Sequence, residues 1–342
     1  MKAGIIGDSM SGKTTLFNVL SGANEDVGTG SREIHLANVK VPDERIDKLS
    51  EIYEPKKTTY AEIDFVDFGG GFDSKTEPKT VAKIREMDTL AIVLGAYRIE
   101  NEQDLLNELD SIITEMILLD LMACDKRLER LEKENKKDLE YKTLKRFKET
   151  LENEQLINSL EISEEEKKAV SSFSFLTEIP VIVLINVKEQ DFNKVTFTSV
   201  QERCGQNLLD YLYISGSVEM EIAELPAEDQ KEFLKDLGVD KPAKDRFIRK
   251  VYEKMQLISF FTTGKDEVRA WNISNGTVAR KAAGKIHSDI ERGFIRAEVI
   301  SYKDFIENDC DETKVQSAGK KRLEGKEYVV NDGDMIMYRF NV

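Results

Sequence analysis

The sequence predicts an α/β protein: a parallel sheet covered by helices, interrupted by an α-helical coiled-coil hairpin and followed by a small α+β domain. Three observations carry this expectation. Short apolar runs alternate with segments of helical periodicity, the pattern of a sheet buried on both faces. A segment beginning near residue 105 keeps apolar residues at three-and-four spacing well beyond the length of an ordinary helix. Composition then changes near the end: residues 256–342 hold fourteen Lys plus Arg and fourteen Asp plus Glu, although the whole chain carries a formal charge of -15.

In chain order, residues 1–6 form an apolar run, a glycine-rich turn follows, and residues 13–20 show helical periodicity, which reads as strand, loop, helix. Further buried strands are expected at 63–67, 89–94, 181–186 and 209–215. Between 89–94 and 181–186 the stripe Leu105, Leu109, Ile112, Met116, Leu119, Ala123, Leu128 and Leu131 describes a long amphipathic helix. It breaks at 135–138 and restarts with Tyr141, Leu144, Phe147 and Leu151, giving an antiparallel hairpin whose charged side reads either as a solvated face or as a partner-binding arm. Residues 219–254 read as a helical linker. Strand composition returns at 268–273, 294–301, 327–330 and 334–341, with turn signals at 274–276 and 331–333. The expected division is 1–104 and 171–225 for the sheet domain, 105–170 for the hairpin, 226–256 for the linker and 257–342 for the last domain.

Composition narrows the function classes. A length of 342 residues with 40% hydrophobic content suits several globular domains. No run of eighteen apolar residues occurs, and residues 1–7 enter a strand pattern without a basic region or cleavage site, so a soluble, unexported protein with no membrane partner is expected. The three cysteines Cys124, Cys204 and Cys310 have no paired spacing, which fits a reducing cytoplasm, and two histidines disfavour histidine-rich metal chemistry. The acidic balance opposes nonspecific attraction to DNA or anionic lipid and leaves the neutral C-terminal part as the better RNA-facing surface. A monomer is expected.

The chemistry is announced by Gly7, Asp8, Ser9, Met10, Ser11, Gly12, Lys13 and Thr14, which match G-x-x-x-x-G-K-[ST]. Glycines at both ends permit a backbone that turns its amides toward phosphates, and the following helix adds its positive dipole end. Lys13 is expected to contact the outer phosphates and Thr14 a magnesium ion, which makes the sheet domain a P-loop NTPase domain. Asp67-Phe68-Gly69-Gly70, ending a buried-type strand, supplies D-x-x-G: Asp67 to hold the ion through water, Gly70 to sense the terminal phosphate by its amide. Asn186-Val187-Lys188-Glu189 follows another strand, where guanine-specific proteins carry N-K-x-D. The Asn is kept, Val187 replaces the stacking Lys and Glu189 the shorter Asp, so guanine specificity should weaken. Thr15, Ser215 and Gly216 complete the expected nucleotide contacts, with Ser215-Gly216-Ser217 standing where S-A-K is usual.

These features resemble the YchF or Obg-like ATPase family. The likeness is carried by Gly12-Lys13-Thr14-Thr15-Leu16-Phe17-Asn18, by 41–47, by Asn186 to Glu189, by Leu119-Asp120 and 126–131 in the hairpin, and by 260–271, 282–298 and 322–342 at the end. The resemblance implies a G domain, a helical insertion and a C-terminal TGS domain. It further implies binding of ATP in preference to GTP with Mg2+, slow hydrolysis, and association with the ribosome or ribosome-associated RNA and protein. His287 falls in the family's I-H-x-D-x-E-R-G-F run.

Several positions depart from the family pattern. Met10 stands where an Asn is usual, and alignment back from Val41 puts Ser31 where a first-switch Thr would hold magnesium, with Arg32, Glu33, Ile34 and His35 following. The second switch is short, and Gly71 occupies the position from which many GTPases orient water. Loss of such an element removes roughly a thousandfold in rate. Two readings therefore stand: a slow ATP-preferring switch on the translation machinery, with Lys13 and Asp67 as catalytic groups, or a hydrolysis-deficient nucleotide-binding paralogue acting as an interaction module. A P-loop kinase would explain the first motif alone.

Overall fold

The computed structural model describes residues 1–26 and 33–341, which divide into two compact units: residues 1–39 with 64–251, and residues 40–63 with 252–342. The strands in chain order are β1 (Lys2–Gly7), β2 (Ile34–Lys40), β3 (Lys57–Thr59), β4 (Glu62–Phe68), β5 (Thr89–Leu94), β6 (Val181–Asn186), β7 (Asp210–Ile214), β8 (Leu257–Thr262), β9 (Glu267–Ser274), β10 (Phe294–Ser301), β11 (Arg322–Glu324) and β12 (Asp334–Phe340).

The first sheet has the order β2-β4-β1-β5-β6-β7, with β1 parallel to both β4 and β5, and β6 parallel to β5 and β7. Every residue of β5 and β6 is buried, which is why both read as unbroken apolar runs. The one hydroxyl in β5, Thr89, donates to the Pro180 carbonyl at 2.9 Å and so costs little inside. After β1 the chain first builds the β4 side and then crosses to β5. The crevice at the carboxyl end of β1 is thus the topological switch point where α/β sheets bind ligands.

The hairpin forms from Glu102–Lys133, capped by Asn101, and Leu139–Glu152, capped by Asp138, with Asn135 in a left-handed turn (φ 52°) between them. Arg127 clamps Glu140 through two bonds of 2.7 and 2.8 Å. Its apolar stripe does not face solvent. Leu128, Leu131, Leu144, Phe147 and Leu151 join Leu105, Leu109 and residues of β5 and β6 in one core, which thus runs continuously from the sheet along the hairpin to the turn-proximal Leu131 and Leu144.

Within the stripe the expected Leu119 and Ala123 are only half-buried, and Asp120 and Cys124 face inward instead. Asp120 is tolerated because its carboxylate is saturated: it accepts from Arg85 Nη1 at 2.8 Å, from the Leu176 and Thr177 amides, and from the Thr177 hydroxyl at 2.8 Å. Residues 219–254 are not one helix. They belong to Gly216–Glu224, Ala227–Asp236 and Ala243–Lys254, with Pro226 and Pro242 at the breaks.

The second unit is a mixed sheet of order β11-β10-β12-β8-β9-β3, in which β8 runs parallel to β12 and antiparallel to β9. Ala279 and Ala282 of the helix Ala279–Ile286 lie in a core with Phe260, Val299 and Ile336. The strand expected at 327–330 does not form: Tyr328 N closes a turn on Gly325 O, and Val329 makes a single bridge to Val278. The sequence reading put residues 40–63 with the sheet domain. Here β3 instead lies on β9, in parallel register from Lys57–Glu267 to Thr59–Arg269. Among the described residues no helix is long and apolar enough to cross a membrane.

Candidate functional site

The loop from Gly7 to Thr14 leaves the carboxyl end of β1 and opens the helix Lys13–Ser21. Gly12 caps that helix at φ 93°, and a Cβ there would come within 2.2 Å of Asn186 Nδ2. Gly7 has φ 155°, with the Val93 carbonyl 2.4 Å from where its Cβ would stand. Both glycines are thus required by close backbone approach as well as by torsion. Met10 adopts φ 62° and is exposed.

Lys13 lies back across the loop, its Nζ donating to Asp8 O at 2.8 Å and Gly7 O at 3.3 Å. Burial lowers its pKa, and the charges of Asp67, Asp8 and Glu108 oppose that shift. The Asp8 carboxylate accepts from the Ser9 amide at 2.7 Å. The segment expected to be the second switch packs on the same loop: Phe72 N donates to Gly7 O at 3.1 Å, and a Cβ on Gly71 would stand 3.2 Å from Ser9 Oγ. Gly70 has φ 82°.

Thr14 Oγ1 donates to Asp67 Oδ2 at 2.9 Å, uniting the two residues expected at magnesium. Asp67 is fully buried, yet its Oδ1 has no hydrogen-bond partner. Burial raises its pKa, against the pull of the Thr14 hydroxyl and the Lys13 charge. A buried, unsatisfied carboxylate oxygen beside a threonine hydroxyl and a phosphate-binding loop fits a hard divalent cation, which takes oxygen donors and completes its shell with phosphates and water. Ser31, the third expected ligand, lies outside the described residues.

A cavity of about 360 Å³ adjoins the loop, lined by Gly12, Thr15, Tyr97, Asn186, Val187, Lys188, Glu189, Gly216 and Ser217. Asn186 ties its wall together, its Nδ2 donating to Ser11 O at 3.3 Å and its Oδ1 accepting from Gly216 N at 3.1 Å. Ser215 is buried behind the wall, its Oγ 3.2 Å from that of Ser217. Lys13, Thr14 and Asp67 therefore cluster at one end, and Thr15, Asn186, Val187, Glu189 and Gly216 at the other, with Gly12 between.

Sequence reasoning missed Tyr97, Arg98 and Glu108. Tyr97 Oη donates to Met10 O at 2.6 Å and its ring lines the cavity. Arg98 Nη2 lies 3.2 Å from Asp8 Oδ2 and 3.1 Å from Glu108 Oε1. Their signal was an aromatic-basic pair just past a buried strand, at the edge of the sheet where ligands bind. His287, far along the chain, accepts the Asp289 amide at Nδ1 and caps the helix Ser288–Arg292.

Comparison with known proteins settles the relationship. The chain is 38% identical to the ribosome-binding ATPase YchF of Haemophilus influenzae over 361 aligned residues, covering 100% of this chain and 99% of that protein. The chain belongs to the YchF family. The ribosome-binding ATPase YchF of Bacillus subtilis is 35% identical over 365 residues, with full coverage of both chains. Residues 257–341 match the family model YchF-GTPase_C, described as a protein of unknown function (DUF933). The solved Schizosaccharomyces pombe YchF GTPase superposes with a TM-score of 0.85 at 29% identity, covering 99% of this chain and 97% of that one. The α/β P-loop architecture with a distinct C-terminal domain is thus the YchF fold.

Proposed function

We propose that this YchF family member binds a nucleoside triphosphate with Mg2+ at the Gly7–Thr14 loop and acts as a slow, adenine-preferring NTPase switch associated with the ribosome. The single observation that supports the binding most is the union of Thr14 with a buried Asp67 whose second oxygen has no partner, at the foot of a glycine-capped helix. In this reading Lys13 leaves the Gly7 and Asp8 carbonyls for the outer phosphates. Thr14 and Asp67 hold the metal, which supplies charge neutralisation to the phosphate chain. Ser31 is proposed as a further ligand from sequence alone.

The base enters the cavity beside Asn186, where Glu189 and Val187 replace the guanine-reading pair. The two curated bacterial relatives are named ATPases and the solved fission-yeast relative a GTPase. Base preference is therefore the property to measure. Calorimetric titration with ADP, ATP, GDP and GTP should give an adenine preference above tenfold, about 1.4 kcal/mol. Equal affinity for both bases removes the adenine reading, and no affinity for any of the four removes the nucleotide reading.

The ribosomal partner comes from the names of the bacterial relatives and implies a cytoplasmic protein. Nucleotide-dependent co-sedimentation with ribosomes tests it. One observation favours a hydrolysis-deficient variant of the same reading: Gly71 offers no side chain to orient water and packs on Ser9. Tight binding without phosphate release, even with ribosomes added, would select that variant.

A further inference from the structure

The P-loop carries an acidic residue where a polyanion is to bind, and its carboxylate is held by two donors. Asp8 Oδ1 accepts the Ser9 amide at 2.7 Å, and Arg98 Nη2 lies 3.2 Å from Asp8 Oδ2. A loop amide and a guanidinium are the donors that a phosphoryl oxygen takes. The same carboxylate faces the second switch, since a Cβ on Gly71 would stand 3.5 Å from Asp8 Oδ1. The same Nη2 lies 3.1 Å from Glu108 Oε1, an ion pair that does not depend on Asp8, and the arginine side chain remains 31% exposed. It can therefore leave Asp8 without leaving the site.

Resting on the nucleotide reading above, we propose that the Asp8 carboxylate is an internal stand-in for the terminal phosphate, and that Arg98 exchanges from Asp8 onto that phosphate when a triphosphate binds. A dianionic phosphoryl group is the stronger partner for a guanidinium, and its arrival beside an ionised Asp8 adds repulsion that drives the exchange. Arg98 then supplies, from this chain itself, positive charge on the side of the loop where Met10 and Gly71 supply none. Diphosphates do not reach Arg98, so the residue discriminates three phosphates from two.

The test is a binding cycle on the full chain with Mg2+, using ADP and a non-hydrolysable ATP analogue in wild type, Arg98→Ala, Asp8→Asn and the double variant. Wild-type ADP affinity checks the nucleotide reading by itself, and a ligand-free thermal melt of each variant checks folding. Arg98→Ala should weaken the triphosphate analogue by about tenfold to a hundredfold while ADP changes less than about threefold. Asp8→Asn should tighten the analogue, and the double variant should stay as weak as Arg98→Ala. If Arg98 only neutralises Asp8, the double variant returns to wild-type affinity and the proposal fails. Equal loss of ADP and analogue in Arg98→Ala overturns it as well, because a general loop-positioning role would do that. Arg98→Lys separates charge from fork geometry and should recover only part of the discrimination.

Discussion

Asp67→Asn should strengthen the ligand-free fold while removing magnesium-dependent binding. In the wild-type protein the carboxylate is wholly buried, receives one hydrogen bond from Thr14, and leaves Oδ1 without a partner. An unsatisfied buried polar atom costs about 1–3 kcal/mol and more when charged, whereas the neutral amide falls at the low end of that range. The substitution therefore gains about 1–2 kcal/mol. For a unit of roughly 150–250 residues that raises Tm by about 2–8 °C.

The pH dependence has the same sign. Burial raises the folded-state pKa of Asp67, so the native state holds the proton more tightly than the unfolded chain. The penalty is full above the raised value and is relieved as pH falls through it toward the usual carboxylate range. Asn should abolish that contribution. Nucleotide with Mg2+ at a hundred times its dissociation constant should stabilise the wild type by about 2.7 kcal/mol, and most of this should vanish in Asp67→Asn. Thermal melts with and without Mg2+ and nucleotide read both effects. A variant that melts lower without ligand, yet keeps its magnesium-dependent shift, would refute the reasoning that this carboxylate is held in strain for a cation.

Gly12→Ala forces a Cβ into contact with Asn186 at a left-handed torsion, so it should lose nucleotide binding in calorimetry and melt at lower temperature by an amount worth about 1–3 kcal/mol. Asn186→Ala strands the Gly216 amide and the Ser11 carbonyl, and should weaken nucleotide binding by about 1–3 kcal/mol; unchanged affinity would separate this wall from the ligand. Asp120→Ala removes the carboxylate partner of Arg85, whose guanidinium keeps only the Ser174 and Leu119 carbonyls, and leaves three inward-facing donors unpaired. Denaturant unfolding should show a loss of about 3–5 kcal/mol. The Cys124 and Cys204 thiols are pushed up to about 12 by burial, so at pH 8 a chromogenic disulfide reagent should modify Cys310 first and the other two only on unfolding.

What could be read in advance was what the backbone or double-sided burial leaves no freedom to change. The loop at Gly7 and Gly12 is legible because a side chain at either position meets other atoms, and β5 and β6 because strands buried on both faces admit almost nothing polar. The three polar residues of β3 carry no such requirement at a sheet edge, and their partner lies more than two hundred residues away. Asp120 broke the apolar stripe by one position because its carboxylate is satisfied by the segment around Leu176 and Thr177, which periodicity cannot see. Arg98 escaped notice because its role is set by a carboxylate ninety positions earlier.

The edge position of β3 bears on how this protein can be dissected. A fragment cut at residue 252 would carry the whole length matched by the family model but not the strand that covers β9. The exposed backbone of β9 would then be free to recruit a strand from another molecule. Binding assays on such a fragment would report on a self-associating species, and reattaching residues 40–63 through a designed loop would be the remedy.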